Sequence, residues 1–255
     1  MVVMLYGGSS PVLPELIAVG TSTLAGYNVA KYIHLIRDNF PYHYAIKTLT
    51  FICSIIMIVA VLELGFNAVI LFAFCAILTG LYSLPIILNR SFRQIPILKL
   101  ITIGTAWSVL AIVLPKILRD SIGMDHASWL TVYENLDWSL VFWEFTKLLF
   151  YVMALCIPFE IRDLKYDSPQ LHTLPQLIGT EYSKYVGFLL LAIFVLIEFT
   201  QFRETISEVV TTLTVITITA IAIACADKFK SDYYTSFFVE SIPILWLGIY
   251  ILLDY

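Results

Sequence analysis

Three carboxylates stand close together near the middle of the chain. They are Glu160, Asp163 and Asp167, in the stretch FEIRDLKYDSPQLHTLPQLIG from Phe159 to Gly179. If the preceding apolar segment continues as a helix, the spacing i, i+3, i+7 puts all three within about 60° of arc at 100° per residue, and they share one face. Like charges that close oppose one another unless a cation stands between them. The chemistry such a face points to is a divalent-metal site, with Mg²⁺ favoured by hard oxygen ligands. A second reading stays open, because Arg162 and Lys165 are near enough in sequence to neutralise the same acids.

The elements that must position this stretch are membrane helices. The 255 residues are 60% hydrophobic and 13% charged, with a mean hydropathy of +0.88, outside the soluble globular range. Apolar runs of roughly 20 residues, enough to cross about 30 Å of hydrocarbon, fall at residues 12–33, 43–63, 66–88, 97–118, 138–159, 184–201, 206–226 and 237–253. The expected fold is an all-α, polytopic transmembrane bundle of about eight helices in one domain, 1–255. The runs are continuous rather than alternating, which argues against a barrel.

A net charge of −4 gives no basic surface, so nucleic acid is excluded as a partner. Cys53, Cys75, Cys156 and Cys225 each lie in an apolar run without CxxC spacing and read as small core hydrophobes. The start, Met1 to Tyr6, lacks a basic region and breaks at Gly7 and Gly8, so no cleavable signal is expected. Lys31, Arg37, Lys47, Arg90, Arg93, Lys99, Arg162, Lys165, Lys184, Lys228 and Lys230 fall in the connections after helices one, three, five and seven. The other side has only Lys116, Arg119 and Arg203, while Lys147 lies inside a span. The positive-inside rule then puts the acidic stretch on the cytoplasmic side and both termini outside.

The acidic stretch resembles the second acidic motif of the UbiA superfamily of intramembrane prenyltransferases, DxxDxxxD followed by Thr-Leu-Pro and a glycine. The matching residues are Glu160, Asp163, Asp167, Thr173, Leu174, Pro175 and Gly179, with Glu160 standing where the family usually has Asp. The resemblance implies an Mg²⁺ ion on the three acids and a prenyl diphosphate as ligand. Leu81 to Lys99 resembles the family's connection of tyrosine, proline and bases, which puts Tyr82 in the substrate pocket and Arg90, Arg93, Lys99 and Arg162 on the diphosphate. Plain positive-inside topology explains the same bases equally well. The family usually has nine helices, so on the resemblance this chain lacks the first, with residues 1–6 as the tail of an apolar segment; an ordinary short external N-terminus accounts for the same residues equally well.

The family's first acidic motif is degenerate here. In YNVAKYIHLIRD, Tyr27 to Asp38, only Asn28 is kept, and Val29, Tyr32 and Ile36 occupy the acidic positions. Half of the usual metal shell is therefore missing. Tyr27 is assigned to the substrate pocket, and Asn28, Lys31 and His34 to phosphate in place of metal.

An active member would transfer a prenyl group from a prenyl diphosphate to an aromatic or other lipophilic acceptor. Two rivals stay open: a non-catalytic protein that binds an isoprenoid or quinone-like lipid, and a small transporter built on the intramembrane pair Glu144 and Lys147. That pair reads otherwise as an internal ion pair. Glu15, Glu63, Glu198 and Glu240 read as interfacial, and the tryptophans as belt residues. The polar connection 116–137, with Asp125 and His126, reads as a solvated loop.

Overall fold

The computed structural model describes residues 12–32, 43–85, 91–121, 136–167, 171–201, 206–229 and 231–254. All regular structure among them is helical. There are eight long helices: α1 (Leu13–Tyr32), α2 (His43–Leu64), α3 (Phe66–Ser83), α4 (Pro96–Ser108, continuing through Val109–Val113 and Leu114–Ser121), α5 (Trp138–Asp163), α6 (Leu174–Thr200), α7 (Ile206–Ala224) and α8 (Tyr234–Val239, then Ile242–Asp254). Seven of them, α2 to α8, are long and apolar enough to cross a membrane. Even α3, with 18 residues, reaches about 27 Å at 1.5 Å per residue. The chain is thus an integral multi-pass protein by the length and composition of its helices.

The least apolar helix, α1, satisfies its own polar groups. The hydroxyls of Thr21, Ser22 and Thr23 donate to carbonyls three or four residues back, at 2.6, 3.0 and 2.8 Å. Two helices widen into a π turn, and each does so beside a proline. Pro115 cannot donate to the carbonyl of residue 111, and the Leu114 N–H reaches back to Val109 O instead. Pro243 likewise gives no bond to residue 239, and just before it Glu240 N donates to Thr235 O at 3.2 Å.

Contacts divide the chain into two units. In one, α1 packs chiefly on α2 and also on α3, and the last part of α4 contacts α3. The other unit holds the start of α4 with α5 to α8. Its helices approach closely where glycine removes a side chain. A Cβ on Gly104 would meet Leu149 Cδ1 at 2.6 Å and Leu149 O at 3.1 Å, and one on Gly187 would meet Ile223 at 3.2 Å and Ile157 at 3.3 Å. At its centre Tyr151, Phe194 and Trp246 pack ring on ring, with Tyr151–Trp246 and Tyr151–Phe194 centroids 5.1 and 5.2 Å apart. Trp246 is therefore a core residue, in contrast to the belt position expected of it, whereas Trp107, Trp138 and Trp143 remain exposed.

The span expected at 184–201 is longer than its apolar run. It starts at Leu174, because Thr173, Pro175 and Gln176 make a good helix start: Gln176 Oε1 accepts the Thr173 N–H at 3.0 Å, and proline sits in the first turn. Gly179, with φ 82° and ψ 163°, then breaks the rod without ending it. Lys184, expected in a connection, lies inside this helix and is buried. It is held by Asp227 at 2.6 Å and Glu181 at 3.1 Å.

Candidate functional site

The site is built at the end of α5. Pro158 removes one helical hydrogen bond just before Glu160, and the helix closes at Asp163, whose carbonyl accepts from both Tyr166 N and Asp167 N at 2.8 Å. Asp167 therefore sits in the turn after the helix. Its own carbonyl accepts from Gln176 Nε2 at 3.3 Å, which ties the turn to the start of α6.

The three acids meet cations of the protein itself. Glu160 is buried and its Oε1 pairs with Nζ of Lys99, also buried, from the first turn of α4. Its other oxygen, Oε2, is buried with no hydrogen-bond partner. Asp163 accepts from Arg162 Nε at 2.7 Å. Asp163 and Asp167 are near enough to repel the Glu160 carboxylate. Arg162 also donates from Nη1 to Thr235 Oγ1 at 3.1 Å and to Ser236 Oγ at 2.9 Å, on the π turn that opens α8. One turn further on, Lys165 Nζ meets Asp232 Oδ1 at 2.5 Å and Tyr166 OH donates to Asp232 Oδ2 at 2.5 Å. That pairing holds the Asp232 carboxyl below its ordinary value of 3.8, through the hydrogen bonds from Lys165 and then Tyr166.

These residues do not fit an Mg²⁺ ion held by Glu160, Asp163 and Asp167. Among the described residues no three Asp, Glu, His or Cys side chains converge on one point. The face expected from i, i+3, i+7 spacing breaks up for two reasons: the helix stops before Asp167, and Lys99 and Arg162 are already on the other two acids. Unit charges 4 Å apart repel by about 4 kcal/mol at an effective dielectric of 20, so a divalent ion beside Lys99 would meet roughly twice that. The orphaned Glu160 Oε2 offers a single oxygen, so a magnesium ion on this acid would depend on phosphate oxygens and water for the rest of its shell.

Asn28 and Lys31, assigned to phosphate from the first motif, lie in the other unit. Asn28 is buried there and spends its amide on α2, Nδ2 donating to Thr50 Oγ1 at 3.0 Å. Lys31 stays on α1, donating to Tyr27 OH at 2.9 Å and lying over the Tyr27 and Tyr32 rings. Tyr27 is half exposed, Tyr82 lies in the last turn of α3, and Arg93 is on the short 3-10 turn Phe92–Gln94. Arg90, His34, Ile36, Arg37, Asp38, Asp125, His126, residues 1–6 and Trp129 lie outside the described residues.

Away from this site, Lys147 bridges Glu144 at 3.1 Å and Glu198 at 2.6 Å. The expected pair is thus a triad, and Glu198 belongs to it rather than to the interface. Glu15 too is buried instead of interfacial. Sequence reasoning also missed Asp232, Thr235 and Ser236. Their signal was the polar run SDYYTS just ahead of the last apolar segment. The partnership of Lys99 with Glu160 had no signal at all, since 61 positions separate them.

No family model and no curated protein matches the chain. Its fold, however, is similar to that of a solved protein, the apo structure of a UbiA homolog from Aeropyrum pernix K1. The TM-score is 0.72 over 99% of this chain and 94% of that one, at 15% sequence identity. The resemblance read from the acidic stretch thus holds at the level of fold.

Proposed function

We propose that the chain is a UbiA-type intramembrane protein that binds a prenyl diphosphate or related isoprenoid lipid and does not carry out magnesium-assisted prenyl transfer at an appreciable rate. The observation that carries the first half is the fold, shared with a UbiA homolog along nearly the whole chain. The second half is supported by the acids. Val29 and Tyr32 replace two of the carboxylates that the resembled motif would supply, and Lys99 and Arg162 neutralise Glu160 and Asp163. Transfer needs cations that stabilise a leaving diphosphate. Deleting one preorganised electrostatic group typically costs about 10² to 10³ in rate, so losing a metal site removes most of the reaction.

In this reading the apolar chain of the ligand lies among the helices and its diphosphate is met by protein bases, Arg162 first among them. The test uses protein in nanodiscs with radiolabelled geranylgeranyl diphosphate and aromatic acceptors. Saturable binding that Arg162→Ala weakens, without product, is the expected result. Robust Mg²⁺-dependent turnover that Asp163→Ala abolishes would establish a working prenyltransferase instead. No saturable binding under any condition would remove the ligand.

A further inference from the structure

The buried pair at the end of α5 goes a step further. Glu160 is the first acid of the stretch, and the group on its Oε1 is an ammonium delivered by another helix. Lys99 is fixed in the first turn of α4, and α4 is held against α5 by the close approach at Gly104. The ammonium is thus tethered in place, where a metal ion would have to be recruited from solution. Both side chains are more than nine-tenths buried. Lys99 has no water into which it could withdraw if a second cation came to the same carboxylate, so the two cations are alternatives.

The surroundings point the same way. Asp163 is turned onto Arg162, and Arg162 is itself fixed on Thr235 and Ser236. Of the two acids that could join Glu160 around an ion, Asp163 is engaged by Arg162 and Asp167 lies past the helix end, and no three-ligand group forms among the described residues.

We propose that Lys99 is the built-in counter-ion of this site. Its ammonium takes the place on Glu160 that a divalent cation would need, so the protein holds a diphosphate headgroup without a divalent metal. The ligand class in this statement rests on the function proposed above, while the exclusion of metal rests on the geometry alone.

The two parts are tested separately. Manganese binding is measured by electron paramagnetic resonance on the purified full chain in nanodiscs, with no lipid ligand. Wild type is expected to show no stoichiometric Mn²⁺ site. Lys99→Met, close in shape but uncharged, is expected to bind Mn²⁺ at least 10-fold more tightly than wild type, with Glu160→Gln in that background reversing the gain. Lys99→Arg should behave as wild type. One stoichiometric Mn²⁺ site in wild type that Asp163→Asn removes would overturn the proposal, and so would the absence of any gain in folded Lys99→Met. If Lys99→Met does not fold, the wild-type titration decides alone.

In the second arm, binding of geranylgeranyl diphosphate is compared with and without excess EDTA. Equal affinity is expected. A loss of 10-fold or more on chelation would overturn the proposal while leaving the prenyl ligand in place, whereas no binding in either condition would overturn the ligand.

Discussion

At the scale of single residues, the Lys99–Glu160 pair should behave as a buried ion pair does when it is cut. Removing one partner leaves the other charge without compensation, at a cost of about 3 to 5 kcal/mol, whereas replacing both by apolar groups of similar volume is often close to neutral. Lys99→Ala and Glu160→Ala are each expected to lower stability by that amount, and Lys99→Met with Glu160→Met to recover most of it. Reversible unfolding in detergent micelles measures the difference. The exposed clamp of Lys165, Tyr166 and Asp232 has a pH signature instead. Asp232 is held below 3.8, so its contribution is present above that pH and is lost as pH falls through the lower folded value. Lys165 is raised above 10.5 by its hydrogen bond to Asp232, so its contribution is present below that pH and is lost as pH rises through the higher folded value. Spin labels at positions 164 and 233 should report a fixed distance from about pH 5 to 9, broadening at either extreme.

At the scale of helices, two glycines should fail for different reasons. Gly104→Ala puts a methyl group 2.6 Å from Leu149 Cδ1 and 3.1 Å from a backbone oxygen that cannot swing away. Overpacking of this kind costs about 1 to 3 kcal/mol, and the loss should grow with Gly104→Val. Gly179 has open space around it but a φ of 82° with ψ 163°, a region essentially closed to other residues. Gly179→Ala therefore strains the backbone by about 1 to 3 kcal/mol and should straighten α6, moving Lys184 relative to Asp227. Unfolding measurements on both variants, with a spin-label distance between positions 178 and 228, separate crowding from strain: only Gly179→Ala should move the labels.

At the scale of the whole molecule, the open question is which way the chain crosses the bilayer. Eleven bases in the odd-numbered connections against three in the others favour a cytoplasmic acidic stretch. Because Lys31, Lys47, Lys99, Arg162 and Lys184 lie inside helices, as do Lys116 and Arg119 on the other side, the prediction is carried by the bases that remain in the connections. In a chain freed of its four native cysteines, Lys165→Cys is expected to react only from the cytoplasmic side and Asp125→Cys only from outside. The reverse pattern would overturn the assignment.

Composition and run length were enough to make this a multi-pass helical protein, because about 30 Å of hydrocarbon demands continuous apolar runs and helices are how such runs satisfy their backbone. Seven of the eight expected spans meet that demand, one of them, 184–201, drawn short at one end because a helix start can be polar; the first, 12–33, forms a helix, α1, that is not among the seven apolar enough to cross. The resemblance carried by Glu160 to Gly179 implied a UbiA-like fold, and the fold is similar to that of a UbiA homolog. What each charge faces depends instead on how the helices pack. Spacing within one helix says which carboxylates share a face, but Lys99 and Glu198 reach their partners from other helices and Asp227 and Asp232 from turns, and sequence distance carries no record of such contacts. Burial adds to this: the Lys99 ammonium is enclosed beside Glu160, so an acid that spacing alone assigns to a metal face has a protein cation from another helix against it.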